Sequence, residues 1–301
     1  MEKRLAQVGY GGKVEELPPF GGSGVLLVLD RDHRKSPLCL RESPLTAVAF
    51  RVLFAFAWAL LLPLMVWRPR RLRVPVARLP GLALYGLVAV AANYVGYFYA
   101  LKYLPVAAAV VLIYTNPALV VLLSWPVLGE RPTARELLAL LATFAGVFLV
   151  AQGYAPGELA LGWKGVLFAL VTATSIAAYN LAGKRYVREL DPWTVMFYGL
   201  LFGGTLLAGW WAAGERELAY PPGAWGLVAL LGLFPTLLGY GLYLKGLRYL
   251  RAGHAAIAAT AEPFLAALWA FILLGERLEP LQALGGALVL GAVLGLQLRS
   301  R

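Results

Sequence analysis

Ala252–Leu274 reads AGHAAIAATAEPFLAALWAFILL, with Glu262 and Pro263 side by side near its middle. A helix of this length rises about 35 Å, enough to cross a hydrocarbon layer about 30 Å thick. A charged side chain at the midplane of such a span costs roughly 2.5–3.5 kcal/mol, so the default expectation is that Glu262 faces a polar gap between helices. Pro263 withdraws one backbone donor and frees a carbonyl that another group must satisfy.

The rest of the chain is built to match this stretch. Of 301 residues, 60% are hydrophobic and 14% charged, with a mean hydropathy of +0.70. The apolar residues fall in long blocks separated by short connections, which is the pattern of a multi-pass, all-α integral membrane protein. Nine blocks can span, at 45–67, 79–101, 105–127, 134–152, 162–183, 192–213, 223–244, 252–274 and 280–298. Thr133 followed by Glu136 forms a capping-box pattern at the start of the fourth block. Residues 1–44 form an atypical N-terminal segment. Its one apolar run, Phe20–Leu29, is too short to span and is cut off by Asp30, Arg31, Asp32, His33, Arg34 and Lys35. The first residues hold no apolar core of a cleavable signal. A single cysteine, Cys39, and two histidines exclude an internal disulfide and a Cys- or His-rich metal centre, and no cofactor motif is present.

The net charge of +11 is explained by topology rather than by a nucleic-acid partner. Alternate connections carry Arg68, Arg70, Arg71, Arg73 and Arg78; Arg131 and Arg135; Lys184, Arg185 and Arg188; Lys245, Arg248 and Arg251; and Arg299 and Arg301. The connections on the other face carry only Lys102, Lys164, Arg216 and Arg277. The positive-inside rule puts the first set, and the C-terminus, in the cytoplasm.

The chain also repeats itself. Ala100–Pro117 (ALKYLPVAAAVVLIYTNP) aligns without gaps on Gly246–Pro263 (GLRYLRAGHAAIAATAEP), an offset of 146 that also carries Leu128-Gly129-Glu130-Arg131 onto Leu274-Gly275-Glu276-Arg277 and Tyr94 and Tyr97 onto Tyr240 and Tyr243. Near the start of the halves, Ser43-Pro44 matches Asp191-Pro192. Equivalent loops carry opposite charge bias, so the two repeats, 45–152 and 162–298, are expected to be inverted, with about five helices each. The second half shows five blocks and the first only four, which places a degraded tenth helix within residues 1–44.

These features resemble the EamA-domain members of the drug/metabolite transporter superfamily: the paired Leu-Gly-Glu-Arg signatures, Tyr114-Thr115-Asn116-Pro117 with its counterpart at Glu262-Pro263, and Ser43-Pro44 followed by Phe50-Arg51. The resemblance covers about residues 42–298. It implies ten helices with both termini inside, a central cavity between the halves and alternating access by rocking of helix bundles. It also implies a small-molecule solute, no catalytic residues and no cofactor. The function expected is secondary transport across the plasma membrane, as export of a small metabolite, amino-acid-like solute or drug, by a monomer or homodimer. The alternatives are an integral membrane enzyme acting on lipid and an inactive remnant lacking its first helix, a helix that commonly lines the cavity in this family.

Glu262 is the leading candidate for solute or proton binding, with a helix-packing carboxylate as the alternative. Asn116 holds the same place in the other half and offers hydrogen bonds without a charge penalty, with interhelical polar packing as its alternative role. Tyr94 and Tyr97, like Tyr240 and Tyr243, lie three residues apart and share a helix face; Asn93 precedes the first pair. Aromatic hydroxyls suit a cavity for an amphipathic or aromatic solute, and Tyr114, Tyr179 and Asn180 are candidates of the same kind. Arg51 reads as a side chain snorkelling to headgroups, His254 as an interfacial histidine, Glu130 and Glu276 as turn-forming or capping residues, and Gly199/Gly203 and Gly291/Gly295 as sites of close helix contact. No phosphate-binding loop supports ATP-driven pumping, since Gly183-Lys184 is followed by Arg185.

Overall fold

The computed structural model describes residues 44–65, 72–155, 162–214, 222–274 and 279–297, which contain helices and no strands. The segment 1–43, with its expected degraded helix, and residues 275–278 of the second signature lie outside the described residues. The helices are α1 (Pro44–Met65), α2 (Val76–Tyr103), α3 (Val106–Leu128), α4 (Ala134–Val150), α5 (Trp163–Val187), α6 (Pro192–Ala213), α7 (Pro222–Leu231 continuing to Leu247), α8 (Ala252–Ala259 and Ala261–Leu274) and α9 (Pro280–Gln297).

Five of them are long and apolar enough to cross a membrane: Val76–Tyr103, Val106–Leu128, Trp163–Val187, Pro192–Ala213 and Trp225–Leu247. The remaining blocks of the sequence form α1, α4, α8 and α9. Of these, α4 is short for a local reason. A capping box starts α4 at Ala134, with Thr133 N–H donating to Glu136 Oε2 (2.8 Å) and Glu136 N–H donating to Thr133 Oγ1 (3.2 Å). The helix then stops after 17 residues, about 25 Å, ahead of Gln152 at φ 56°. In α8 the helix breaks at Thr260.

The distribution of side chains is that of a protein in lipid. Trp163, Leu138, Leu141, Phe234 and Trp269 are more than half exposed, whereas Arg51, Asn116, Glu136, Asn180 and Lys184 are buried. In water this arrangement would leave apolar surface far beyond what a soluble protein tolerates, while in lipid it puts polar groups where other helices can satisfy them.

Small residues set the closest helix contacts. A Cβ on Gly86 of α2 would stand 2.8 Å from the Gly199 carbonyl and 2.9 Å from the Gly203 nitrogen of α6. A Cβ on Gly232 of α7 would stand 2.9 Å from the Arg51 carbonyl and 2.8 Å from the Ala55 nitrogen of α1. Gly146 of α4 and Gly285 of α9 likewise meet backbone to backbone, each Cβ falling 2.6 Å from the other's carbonyl oxygen. Of the two expected glycine pairs, Gly199/Gly203 is therefore a contact, whereas Gly291 and Gly295 face open space.

Irregularities recur at the spacing of the sequence repeat. A π-helical turn begins at Gly86 in α2 and another at Gly232 in α7. The break after Ile113 in α3 recurs after Ala259 in α8. Inserted residues of this kind re-aim the side chains that follow, which are Asn93, Tyr94 and Tyr97 in one case and Tyr240 and Tyr243 in the other.

Candidate functional site

The two helix breaks solve one backbone problem with different side chains. Pro117 has no N–H, so the Ile113 carbonyl four residues back lacks its helical donor, and Asn116 Nδ2 supplies one at 3.0 Å. Asn116 is thereby tied to its own helix. At the equivalent place in α8 stands Glu262, whose carboxylate has no N–H to offer the Ala259 carbonyl. Its Oε2 instead accepts from Tyr114 Oη of α3 at 3.3 Å, a contact between the two sequence halves.

Glu262 is nevertheless exposed, unlike Asn116. In the first half, α3 carries Asn116 against α5. The element that the repeat would set in the same place beside α8 falls within residues 1–43, outside the described residues. Tyr114 and Tyr240 lie near the carboxylate, and Tyr97 lies near both of these tyrosines.

A buried cation lies near the same tyrosines. Arg51 of α1, read from sequence as a snorkelling side chain, is 6% exposed: its Nε donates to Thr236 Oγ1 of α7 at 2.7 Å, and its guanidinium lies 5.3 Å from the ring centre of Tyr94. It does not reach for headgroups, because a buried acceptor and an aromatic face hold it. Thr236 is set for this by the π-helical turn. Pro235 cannot donate within the turn, and the Thr236 hydroxyl donates to the Leu231 carbonyl at 2.9 Å, leaving its oxygen lone pairs toward Arg51. Tyr94 Oη stands 3.5 Å from the same oxygen. Asn93 is buried beside it and has no hydrogen-bond partner among the described residues.

The remaining candidates join helices to one another. Tyr243 Oη donates to Asn180 Oδ1 (2.5 Å), Asn180 Nδ2 donates to the Ile176 carbonyl (2.8 Å), and Tyr179 Oη donates to the Tyr240 carbonyl (2.9 Å). The structure thus gathers Glu262, Tyr114, Tyr97, Tyr240 and Tyr94 in one polar cluster. It places Tyr179, Asn180 and Tyr243 in an α5–α7 contact next to it, and Asn116 in the α3 backbone. Arg51 and Thr236 are the additions. A guanidinium six residues inside a span was the signal for the first, but nothing in the sequence singles out Thr236.

An ionic knot closes one end of the bundle. Glu130, expected to form a turn or cap a helix, accepts from the Ala252 N–H at the start of α8 (2.9 Å) and in addition pairs with Lys184 of α5 (3.3 Å) and Arg188 (3.7 Å). Lys184 also donates to the carbonyls of Leu247 (3.2 Å) and Leu250, where α7 ends. Glu136, 2% exposed, holds Arg251 (3.3 Å) and His254 (3.4 Å), so His254 is an interhelical contact rather than an interfacial bystander. In the repeat, Gln282 stands in for Glu136, and Pro105 and Ala108 for Arg251 and His254, so those charged pairs have no equivalent at the other end. There Gln282 caps its own helix through the Glu279 N–H (3.0 Å) and donates to the Val150 carbonyl (3.3 Å). Tyr154 donates to Glu279 (2.6 Å), and partial burial together with that bond pushes its hydroxyl up to about 12.

Lys184→Ala is expected to destabilise the protein by about 3 kcal/mol, because it strips Glu130 of its nearest cation and leaves the Leu247 carbonyl without a donor. Thermal unfolding in detergent measures this, and Arg185→Ala, on an exposed neighbour, serves as the neutral control.

Apolar helices joined through polar contacts in their interior define a multi-pass membrane protein. More particularly, the chain belongs to the EamA-like transporter family within the drug/metabolite transporter superfamily, whose pattern it matches twice, over residues 35–152 and 163–298. It is 32% identical to an uncharacterized transporter of Archaeoglobus fulgidus over 73% of this chain and 76% of that one. It is 30% identical to the uncharacterized transporter YwfM of Bacillus subtilis over 82% of each. In fold it is similar to a protein of known crystal structure, with a TM-score of 0.76 at 21% identity, covering 92% of this chain and 95% of the other.

Proposed function

We propose that this chain is a secondary transporter, not an enzyme, that exports a small metabolite, amino-acid-like solute or drug across the plasma membrane by alternating access. In this reading two inverted five-helix units, 45–152 with its opening helix upstream and 162–298, rock about a polar centre formed by Glu262, Tyr114, Tyr97, Tyr240, Tyr94 and Asn93. The contact between Tyr114 and Glu262 across the two halves carries the proposal. A carboxylate kept in mid-span at a cost, and held by a residue of the opposite half, is placed to exchange its partner for a solute or a proton when the halves move.

The ionic knot lies at the end that the charge rule assigns to the cytoplasm, together with the C-terminus, and it ties the start of α8 to α4 and α5. Closure at that end and opening at the other is one of the two states that alternating access requires. Flux assays in liposomes test the proposal. Purified protein is reconstituted, a panel of amino acids, amines and dyes is loaded inside, and efflux is followed with and without an imposed pH gradient. Efflux of a panel member above that of protein-free vesicles supports transport. Efflux equal to the blank for the whole panel counts against it.

A further inference from the structure

The guanidinium of Arg51 is a buried charge without a counter-charge. Among the described residues no carboxylate pairs with it, and its one hydrogen bond, from Nε to Thr236, leaves both Nη atoms without an acceptor. Those atoms are not sealed in, because Tyr85 Oη is the one side-chain polar atom among the described residues that is both shut away from the surface and unpartnered. An unpaired cation in a low-dielectric interior is costly, and proteins retain one mainly where an anion arrives. The fork is also held in place. Thr236 fixes Nε, Tyr94 lies against the guanidinium, and the Thr236 hydroxyl is itself anchored to the Leu231 carbonyl. What remains free is the end that binds a carboxylate in a two-pronged fashion.

Only one half of the chain has this feature. By the Pro44–Pro192 match, the residue equivalent to Arg51 is Gly199, which packs beside Tyr85 and Val90, and the residue equivalent to Thr236 is Val90. The acid, Glu262, stands in the other half. Tyr240 lies within electrostatic reach of both Arg51 and Glu262. One half thus contributes a cation held against Tyr94 and the other a carboxylate held by Tyr114, with Tyr240 near both.

Resting on the transport reading above, we infer that Arg51 is an anion subsite that takes the carboxylate of a zwitterionic solute whose amine is received on the Glu262 side. Binding to the purified full-length chain in detergent tests this without requiring flux. The twenty common L-α-amino acids are titrated one by one by calorimetry. The tightest binder is then compared with its decarboxylated amine and with its deaminated acid. The expected result is that at least one amino acid binds, that removing its carboxylate weakens binding about 30-fold or more, and that Arg51→Gln weakens the amino acid by a similar factor while leaving the amine unchanged. Arg51→Lys is expected to recover only part of the loss, because an ammonium lacks the two-pronged fork.

Binding of no amino acid, or equal binding of amino acid and amine, overturns the subsite. So does an Arg51→Gln protein that binds the amino acid as well as the parent does. If Arg51→Gln fails to fold, the amine comparison on the parent protein decides alone. Efflux of a dye or amine from liposomes combined with no amino-acid binding would leave the transport reading standing and remove this one.

Discussion

Gly232→Val is expected to lower the melting temperature of the detergent-solubilised protein by about 6–10 °C, corresponding to about 3 kcal/mol, and to remove most of any flux the parent shows. The added carbons meet the Arg51 carbonyl and the Ala55 nitrogen, backbone atoms at 2.9 and 2.8 Å that no rotamer change can move. The helices α1 and α7 must separate, and Thr236, one turn on from Gly232, is then carried away from Arg51. Fluorescence-monitored unfolding gives the stability and liposome efflux gives the activity. Gly226→Val in the same helix is the control, since nothing lies within 4 Å of its Cβ direction. A melting temperature as high as that of the parent would show that the contact is not close-packed.

Glu262→Gln is expected to lower efflux of any transported solute about 10- to 100-fold and to flatten its dependence on pH, with the melting temperature within about 2 °C of the parent. The substitution keeps a partner for the Tyr114 hydroxyl but removes the charge, and hydrogen bonds to charged groups are worth roughly 1.5–3 kcal/mol. Efflux with the same pH profile as the parent would take Glu262 out of the mechanism. Asn116→Ala should behave in the opposite way. It leaves the Ile113 carbonyl without its donor and costs roughly 1–3 kcal/mol of stability, with a smaller effect on flux. The two substitutions test whether equivalent positions have divided their labour, one serving the backbone and the other the solute.

A repeat of this kind permits such a division. The scaffold is shared: π-helical turns at Gly86 and Gly232, breaks after Ile113 and Ala259, and glycine contacts of α2 on α6 and of α7 on α1. The chemistry is not shared. Arg51 faces a place where the other half has Gly199, Glu262 a place where it has Asn116, and Glu136 a place where it has Gln282. Charges that appear in one copy only are the groups that can distinguish one end of a solute, or one face of the membrane, from the other.

Much of this was legible in the residues. Hydropathy gave the helices, because lipid leaves the backbone no alternative to satisfying itself. The gap-free match of Ala100–Pro117 on Gly246–Pro263 gave the two halves, and the cost of an acid in mid-span singled out Glu262. The family match bears out the resemblance. The Thr133–Glu136 pair marked the start of α4 correctly, whereas the breaks after Ile113 and Ala259 lie inside unbroken apolar blocks and leave no mark in hydropathy.

The tertiary structure alone decided which polar groups meet. Arg51 reads as a snorkelling side chain until Thr236, 185 positions away, is seen to hold it. Lys184, His254 and the two glutamates look like ordinary helix-end charges until α4, α5, α8 and the α3–α4 connection bring them within about 4 Å of their partners. The physical reason is range. Burying apolar surface depends on each residue's own character and is written position by position, whereas a hydrogen bond or ion pair depends on a partner whose distance along the chain carries no information about its distance in space.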